Sequence, residues 1–262
     1  MALVEQKKFI SLVEEYFLRK QKPNLKILEI GSYIVNQSIR DYFQDCEYLG
    51  VDLVAGPGVD LVCPGQELDF PDASFDVAIS SEVFEHNPYW VETFRNMHRM
   101  TKPGGLIVLT CASRGRFEHG TRRSGIEDSP GTAHVGIDHY RNLNASDFKK
   151  EFKLADMFSQ HFFYYLPTHK DLYFCGWKTG ASRFSGDMQA FIGEVKKIRR
   201  LSQYKSVPFF YGLMSKCYRF TIVVASYILS DRSFQNFQIR YLAFLKPLKT
   251  LLAPRVANKG KR

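Results

Sequence analysis

The sequence has no hydrophobic run long enough to span a membrane. A spanning helix needs roughly 18 consecutive apolar residues, whereas the longest apolar stretch, residues 220–229, is shorter and lies between Arg219 and Asp231. The first ten residues also lack the apolar core of a secretory signal. Both absences predict a soluble protein, and the cysteines, read as reduced thiols, place it in the cytoplasm.

Cysteines are few and follow no pairing pattern. The five of them are odd in number and widely spaced, without a CxxC pair or a zinc-binding spacing. These spacings exclude a disulfide framework, and we expect reduced thiols.

Acidic residues are scarce at the C-terminal end. Residues 186–262 hold 15 Lys and Arg against three acids, a balance of +12, whereas residues 1–185 hold 21 basic and 24 acidic side chains, a balance of −3. We therefore interpret the chain as a body, 1–185, followed by a basic helical extension, 186–262. Because Lys and Arg alternate with aromatic residues between Phe191 and Leu252, we expect peripheral contact with the inner membrane surface. Nucleic acid binding, a solvated helical surface and packing of these aromatics on the body are the alternatives.

Glycine is scarce in the first strand–turn–helix unit. The stretch KILEIGSYIVNQSIRDYF, residues 26–43, has the outline of a nucleotide-binding loop but only one glycine, Gly31. A dinucleotide-binding loop has three, in the pattern G-x-G-x-x-G, and the third packs the helix on the strand. The stretch therefore argues against an NAD-binding domain, and Gly31 belongs either to another cofactor site or to a tight turn.

What is present is a regular alternation of apolar strands and amphipathic helices. With 262 residues, 45% of them hydrophobic, the chain can bury a full core. Strands separated by helices predict an α/β fold with a mainly parallel sheet, and residues 1–22 have the spacing of a capping helix. The elements predicted after it are strand 26–31, helix 36–44, strands 47–52, 58–62 and 75–80, helix 88–100, strand 105–111, helix 147–152, and an antiparallel pair of strands at 157–167 and 171–178.

Residues 112–144 have no clear period and are rich in arginine and histidine. A long irregular segment inside a domain is usually a binding loop or a lid. This segment follows a predicted parallel strand, and open α/β sheets bind ligands at the carboxyl ends of such strands. We therefore expect 112–144 to be a lid over a substrate site.

Gly31 ends the first predicted strand and Asp52 ends the second, 21 positions later. In doubly wound folds, an acid about 20 residues beyond the glycine loop accepts hydrogen bonds from ribose hydroxyls. Taken alone, Asp52 could equally form a turn or cap a helix. The motifs that follow favour the ribose-binding interpretation.

Four motifs in succession carry a resemblance to a known family: ILEIGS, YLGVDL, FPDASFDVAISSEVFEH and MHRMTKPGGLIVLTC. Over residues 25–178 the chain resembles the class I S-adenosylmethionine-dependent methyltransferases, most closely their type 11 small-molecule group. The resemblance implies a doubly wound, mainly parallel seven-stranded sheet with one antiparallel strand, a Rossmann-like fold. It also implies S-adenosylmethionine as the cofactor.

The resemblance assigns cofactor contacts to individual positions. Glu29 corresponds to the acid that holds the amino group of the cofactor, and Gly31 to the glycine that lets the backbone approach its methionine part. Asp52 corresponds to the ribose-binding acid, while Ser80 and Ser81 end the strand that lies beneath the sulfonium. The implied cofactor-binding set is Glu29, Gly31, Ser32, Tyr33, Asp52, Leu53, Gly65, Gln66, Ser80 and Ser81.

The sequence departs from the family pattern at two places. Tyr33 stands where a second loop glycine is usual, and Val35 stands at the third glycine position. Pro64 occupies the place of an acid that often binds the adenine amino group, so we expect backbone groups near Gly65 and Gln66 to recognise adenine. If the site is used, Tyr33 must either line it or point away from it.

Methyl transfer is a direct displacement, so a base is needed only when the acceptor must lose a proton. His86 follows the fourth predicted strand, close to the expected position of the methyl group, and is the leading candidate. His139 in the lid and Glu85 are the other two. A histidine before Asn87 and a proline could also simply close a loop.

The motif EVFEH sets Glu82, Glu85 and His86 at a spacing that could supply metal ligands, with His119 or His134 as a fourth. An RNA-terminal group of the same superfamily has a similar pattern with two adjacent histidines. Here asparagine replaces the second histidine, and we predict no metal.

The arginines of the lid suggest an anionic acceptor, because guanidinium groups match phosphate and carboxylate geometry. Loop arginines are more often only solvated. The predicted function is O-methylation of a small molecule or of a glycan or lipid-linked precursor, with RNA methylation or a non-catalytic interaction module as alternatives. The predicted substrate-binding set is Arg114, Arg116, His119, Arg122, Arg123, Tyr140 and Arg141.

Overall fold

The computed structural model describes residues 4–22, 24–201 and 220–252. Its contacts divide the chain into two compact units, Met1–Gln203 and Tyr204–Arg262. The strands of the first unit are β1 (Lys26–Ile30), β2 (Glu47–Asp52), β3 (Leu61–Val62), β4 (Phe75–Ser81), β5 (Thr101–Ala112), β6 (Phe158–Leu166) and β7 (Asp171–Lys178). Its α-helices are α1 (Val4–Val13), α2 (Trp90–Met100), α3 (Pro130–His134), α4 (Ala145–Glu151), α5 (Leu154–Met157) and α6 (Met188–Lys197).

The seven strands form one sheet in the order β3-β2-β1-β4-β5-β7-β6. Strands β1 to β5 pair in parallel, and β7 runs antiparallel to both β5 and β6. The predicted doubly wound sheet with one antiparallel strand is therefore confirmed. The strand order reverses between β1 and β4, which is the switch point where open α/β sheets bind ligands.

The core occupies both faces of the sheet because successive side chains of a strand point in opposite directions. On one face, under α1 and α6, Phe9 stacks on Tyr173 with ring centroids 4.7 Å apart. On the other face, under α2 and α4, Phe94 and Phe148 meet at 5.3 Å beside Phe174. The buried sheet holds the strand ends that carry the polar residues in fixed positions.

The predicted helix 36–44 is wrong. Only Arg40–Phe43 form a short 3-10 turn in this stretch. The hydroxyl of Ser38 accepts a hydrogen bond from the Arg40 N–H at 3.0 Å, and such local bonds compete with a helix. The Ile34 N–H bonds to a carbonyl of the segment after β2 at 2.9 Å, so the loop turns toward that segment instead of continuing as a helix.

Strand β3 is shorter than the predicted strand 58–62. The Val59 N–H bonds back to the Gly56 carbonyl at 3.1 Å, and Gly58 has a φ of +86°. These are the marks of a turn, so the extended backbone begins only at Leu61. The other predicted strands and helices agree with observed ones to within a few residues.

Helix α6 belongs to the first unit, although the sequence boundary at 185 placed it in the basic extension. Its Phe191 is fully buried and packs against Phe17, with ring centroids 4.9 Å apart, and against Phe9. Phe191 is therefore a core residue and cannot contribute to a membrane-facing surface. The boundary between the compact units falls after α6.

The second unit is helical where it is described. Residues 220–228 form a helical segment, and α7 spans Asp231–Leu252. Several apolar side chains of this unit are exposed, including Phe220, Ile228 and Phe244. Within the described residues, no helix combines the length and the apolar character that crossing a membrane requires.

Candidate functional site

A cleft opens at the carboxyl ends of β1, β2 and β4, beside the switch point. We call the last residues of β1 and β2, together with the residues that follow β1, β2 and β3, the first wall. The last residue of β4, the residues that follow it and segment 112–144 are the second wall. The first wall contributes Ile30, Gly31, Tyr33, Val35, Asp52, Leu53, Cys63, Gly65 and Gln66, and the second contributes Ser81, Glu82, Val83, His86, Asn87, Tyr89, Asp128, Ser129, Pro130, Gly131, Thr132 and Ile137.

Gly31 turns the chain from β1 into the first wall. Its φ is +87°, a left-handed conformation that favours glycine. Its N–H donates to the Val51 carbonyl at 2.8 Å, and a Cβ at this position would lie only 1.9 Å from Cγ2 of Val83. Both backbone conformation and space therefore require glycine where the two walls approach each other.

Asp52 lies at the end of β2 with both carboxylate oxygens held by backbone groups. The Tyr33 N–H donates to Oδ2 at 3.0 Å, and the Leu53 N–H donates to Oδ1 at 2.7 Å. Burial raises the pKa of Asp52, while these two hydrogen bonds act in the opposite direction. A carboxylate oxygen has two lone pairs, so each oxygen can still accept a hydrogen bond from a hydroxyl in the cleft.

Tyr33, which stands where a second loop glycine is usual, lines the cleft. Its ring lies against the backbone of Gly56, where a Cβ would come within 2.2 Å of the ring atom Cε2. Its N–H is one of the two that hold Asp52. Tyr33 is thus part of the first wall through both its ring and its backbone.

Glu29 differs from Asp52 although both are carboxylates of neighbouring strands. Its Oε2 accepts a hydrogen bond from the hydroxyl of Tyr48 at 2.7 Å. Burial raises the pKa of Glu29 to about 7, against the opposing effect of the Tyr48 bond. Glu29 is not among the described residues that line the cleft, so its predicted contact with the cofactor amino group has no support from this geometry.

Gly65 and Gln66 line the cleft in a short 3-10 turn after β3. The Asn96 side chain of α2 donates to the Gly65 carbonyl at 2.9 Å. The Thr93 hydroxyl donates to the side-chain oxygen of Gln66 at 3.4 Å. Helix α2 therefore fixes the turn that was predicted to face adenine.

The two serines at the end of β4 have different surroundings. Ser81 lines the cleft and shares a hydrogen bond with the Thr110 hydroxyl at 2.9 Å. Ser80 is fully buried and donates to the Ile30 carbonyl at 2.9 Å, away from the lining residues. Ser32 is likewise buried and does not line the cleft.

Glu82 is the first residue after β4, and its φ is +57°. A left-handed conformation is uncommon for a residue other than glycine, and such strain concentrates at functional sites. Oε1 of Glu82 is buried without a hydrogen-bond partner. Glu85 is fully buried; its Oε1 accepts from the Ala112 N–H at 3.1 Å, while Oε2 has no partner. Burial raises the pKa of Glu85 well above its usual range, and the nearby Glu82 adds to this rise.

His86 lines the cleft and lies against two side chains of segment 112–144. Its ring centroid is 4.9 Å from that of His119 and 5.5 Å from that of Tyr140. Burial lowers the pKa of His86 to about 3, and the neighbouring His119 acts in the same direction. His86 is therefore neutral near pH 7, with a buried Nδ1 that has no hydrogen-bond partner.

His119 and His139 lie near His86 but do not line the cleft. Burial lowers the pKa of both. Glu85, His86 and His119 can each direct one ligand atom to a common point, since these atoms lie within 4.8 Å of one another. His134, the other histidine suggested as a ligand, is exposed at the end of α3.

Segment 112–144 covers the first wall through α3 and the residues just before it. A Cβ on Gly131 would lie 2.9 Å from Oδ1 of Asp52, which shows how closely this segment approaches the strand end. The predictions missed Asp128–Thr132, Asn87 and Tyr89 as lining residues. The pair Pro130-Gly131 is the signal that could have found α3, since proline is favoured in the first turn of a helix.

None of the seven predicted substrate-binding residues lines the cleft among the described residues. Arg116 pairs with the buried Asp171 at 3.2 Å, and Arg141 pairs with Asp147 at 2.7 Å. Arg123 pairs with Glu118. These three guanidinium groups therefore contact acids of the chain itself. Within segment 112–144, the N–H groups of Arg114 and Arg122 and the hydroxyl of Tyr140 donate hydrogen bonds, and the rings of His119 and Tyr140 pack together.

A protein-family model matches the part of the chain that holds most of the cleft. Residues 31–109 match the family model described as a methyltransferase domain. The match begins at Gly31 and includes β2, the second-wall residues after β4, and α2. It confirms the methyltransferase resemblance inferred from the sequence motifs.

The curated relatives cover a similar part of the chain. An uncharacterised methyltransferase of Mycobacterium tuberculosis strain H37Rv is 44% identical over 54 residues, 21% of this chain and 21% of that protein. An uncharacterised methyltransferase of Mycobacterium leprae strain TN is 41% identical over 61 residues, 23% of each chain. The chain thus matches these curated relatives over about a fifth of their length.

Solved structures resemble the chain more broadly and more weakly. Phosphoethanolamine N-methyltransferase 2 of Haemonchus contortus, in complex with phosphomonomethylethanolamine and S-adenosylhomocysteine, is 15% identical, with 66% of this chain and 52% of that chain covered and a TM-score of 0.48. The 1,6-didemethyltoxoflavin-N1-methyltransferase of Burkholderia thailandensis is 16% identical, with 67% and 79% covered and a TM-score of 0.46. Both scores are below 0.5, so the fold assignment rests on the strand order of this chain itself.

Proposed function

We propose that this protein is an S-adenosylmethionine-dependent methyltransferase that acts on a small molecule. The observation that carries the proposal is the cleft at the switch point, where the Gly31 turn and the Asp52 carboxylate lie side by side within the methyltransferase-domain match. Open α/β sheets bind nucleotide-like ligands at this place.

The first wall fits the nucleoside part of this cofactor. The oxygens of Asp52 are fixed by backbone N–H groups and are oriented to accept from the ribose hydroxyls. Gly31 allows a close approach to the backbone, and the turn at Gly65 and Gln66 offers backbone groups for adenine. Bound S-adenosylmethionine supplies an electrophilic methyl group.

The acceptor is proposed to be an oxygen of a small molecule or of a glycan or lipid-linked precursor. His86 lines the cleft and is neutral near pH 7, so its imidazole can take up a proton. Its pKa of about 3 makes it a weak base, so the acceptor hydroxyl would have to be acidic or otherwise activated. The idea that arginines bind an anionic acceptor loses support, since Arg116, Arg123 and Arg141 contact acids of the chain.

Calorimetry with S-adenosylmethionine and S-adenosylhomocysteine tests the proposal. Asp52→Asn should weaken the affinity at least about tenfold, because one hydrogen bond to a charged group contributes about 1.5–3 kcal/mol. Asp45→Ala, which changes an exposed acid outside the cleft, should leave the affinity unchanged. Absence of binding by the wild-type chain, or equal binding by Asp52→Asn, would instead favour a non-catalytic module.

The acceptor itself can be identified with a labelled methyl donor. Incubation of the protein with cell extract and S-adenosylmethionine labelled in the methyl group should transfer label to a small, extractable compound. Label appearing in RNA would contradict the small-molecule proposal.

The second unit is proposed to contact anionic lipid headgroups. Its support is the basic charge of the C-terminal part together with exposed apolar side chains such as Phe220 and Tyr227. Sedimentation with anionic liposomes at low and high salt tests this, and a protein that stays in the supernatant at both would contradict it.

A further inference from the structure

The loop after β4 and segment 112–144 bring together polar atoms that no neighbour satisfies. Among the buried side-chain atoms without a hydrogen-bond partner are Oε1 of Glu82, Oε2 of Glu85 and Nδ1 of His86. Leaving such a group without a partner in the interior costs free energy. Three of them within five residues indicate that something absent from the polypeptide binds here.

We propose that Glu85, His86 and His119 bind a divalent transition-metal cation at the edge of the cleft. One carboxylate oxygen and two imidazole nitrogens are a donor set suited to Zn²⁺, Co²⁺ or Fe²⁺. Their ligand atoms already lie within 4.8 Å of one another. Zinc–nitrogen bonds of about 2.0–2.1 Å place tetrahedral ligands about 3.3 Å apart, so side-chain movements of about 1.5 Å would complete the site.

His119 has the hydrogen bond expected of a metal ligand, and His86 has an unpartnered ring nitrogen. A ligating histidine usually donates its other ring N–H to a carbonyl or carboxylate, which fixes the tautomer. Nδ1 of His119 lies 3.0 Å from the Phe117 carbonyl, and its Nε2 lies 4.0 Å from Oε1 of Glu85. Nδ1 of His86 is buried without a hydrogen-bond partner, so it is available as the ligand atom.

A cation bound by Glu85, His86 and His119 would have two effects. Three protein ligands leave a coordination position open, as in catalytic zinc sites, and His86 itself lines the cleft. A cation here would also join segment 112–144, through His119, to the loop after β4. Glu82 adds a second carboxylate close by, which favours a positive ion at this wall. The prediction of no metal from the sequence would then be wrong, and His86 would act as a ligand instead of as the proton acceptor.

Zinc binding to the full chain tests the proposal without any methyl donor. After treatment with a chelator, the protein is equilibrated with Zn²⁺, and bound metal is measured by mass spectrometry. The wild type should bind Zn²⁺ at this site, and Co²⁺ in its place should give the visible absorption of a tetrahedral complex. His119→Ala and Glu85→Gln should weaken Zn²⁺ binding by at least roughly a hundredfold, since even indirect partners of a metal site contribute 10- to 100-fold.

His98→Ala is the matched control. His98 is also part-buried, and its Nε2 lies 3.1 Å from the Met157 carbonyl, but it is outside the cluster. This variant should bind Zn²⁺ like the wild type. A wild type without bound zinc, or equal binding by His119→Ala and the wild type, would overturn the proposal.

A second measurement covers the case in which the variants do not fold. In the wild type, Zn²⁺ should slow amide hydrogen exchange around His119, because the cation ties this segment to the loop after β4. Unchanged exchange at saturating Zn²⁺ would overturn the proposal. A chain that binds Zn²⁺ but not S-adenosylmethionine would contradict the proposed function and leave the metal site standing.

Discussion

The two walls of the cleft differ in how their polar groups are satisfied. On the first wall, both oxygens of Asp52 accept backbone N–H groups. On the second wall, atoms of Glu82, Glu85 and His86 are buried without a partner. The acid of the first wall is therefore held in place by backbone groups, like part of a preorganised binding surface, whereas two acids and a histidine of the second wall keep buried atoms that the chain does not pair. Backbone N–H groups thus fix the acid at the end of β2, whereas the polar side chains of the loop after β4 need a partner from outside the chain.

Among the stability variants, a side chain at Gly31 should have the strongest effect, because Gly31 lies where the two walls are in contact. Gly31→Ala should lower the free energy of unfolding by about 3 kcal/mol. The new Cβ would lie 1.9 Å from Cγ2 of Val83, and the alanine would have to adopt a φ of +87°. Denaturant unfolding measures the change. Gly136→Ala is the matched control, because Gly136 has a similar φ of +77° with open space around it. The free energy of unfolding of this variant should fall by only about 1 kcal/mol.

Val83→Ala separates the two causes of the Gly31 effect. The double variant Gly31→Ala/Val83→Ala should recover the part due to crowding and keep the part due to the backbone conformation. Equal losses for Gly31→Ala and Gly136→Ala would show that the two walls are not in tight contact.

An intermediate effect is expected for the other carboxylate beside the first wall. The pKa of Glu29 in the folded protein is about 7, against 4.5 for an ordinary glutamate. Its contribution to stability is therefore present below about pH 4.5 and is lost as the pH rises through about 7. Glu29→Gln cannot ionise, so it should be more stable than the wild type by about 2–3 kcal/mol at pH 8 and nearly equal to it at pH 4.5. Thermal or denaturant unfolding at both pH values measures the difference.

Glu47→Gln is the control. It changes an exposed carboxylate of the adjacent strand that pairs with Lys26, and exposed ion pairs contribute at most about 1 kcal/mol, so its free energy of unfolding should stay close to that of the wild type. Glu29→Gln also tests the role that the family resemblance gave to Glu29. A cofactor affinity that falls in this variant while stability stays unchanged would restore Glu29 to the binding site.

The smallest effect is expected on the second wall. Gly120 has a φ of +70°, and a Cβ there would lie 2.8 Å from Cε1 of His86 and 2.6 Å from Cβ of Ser129. Because these contacts are side chains on loops that can shift, Gly120→Ala should cost only about 1–2 kcal/mol. The imidazole NMR signals of His86 should nevertheless move. A loss as large as that of Gly31→Ala, with unchanged His86 signals, would show that the second wall is as rigid as the first.

The sequence predicted those features that depend on neighbouring residues. Apolar runs of the correct length predicted the strands, and Gly31 and Asp52 could be placed because each directly ends a strand. The helix 36–44 was mispredicted because the hydroxyl of Ser38 and the turn at Ile34 outweigh its weak periodicity. The lining residues Asp128–Thr132 were missed, since nothing local indicates that this part of a long irregular segment folds back onto Asp52.

Charge patterns were the least reliable guide. The arginines of 112–144 suggested an anion site, but Arg116 finds its partner, Asp171, 55 positions further along the chain. Phe191 suggested a membrane-facing surface, yet it is buried against α1. In both cases the partner is distant in sequence, so composition could not distinguish a surface group from a paired or buried one.

The sequence alone placed the glycine turn after β1 and the acid at the end of β2, because each directly ends a predicted strand, and the family resemblance implied the mainly parallel seven-stranded sheet. The tertiary structure decided which carboxylate lines the cleft and which histidines meet. Glu29 pairs with Tyr48 on the next strand, and His86 meets His119 from a separate loop. The physical reason is that burial and pairing depend on contacts between distant segments, and these contacts set the pKa values and the unsatisfied atoms of the site.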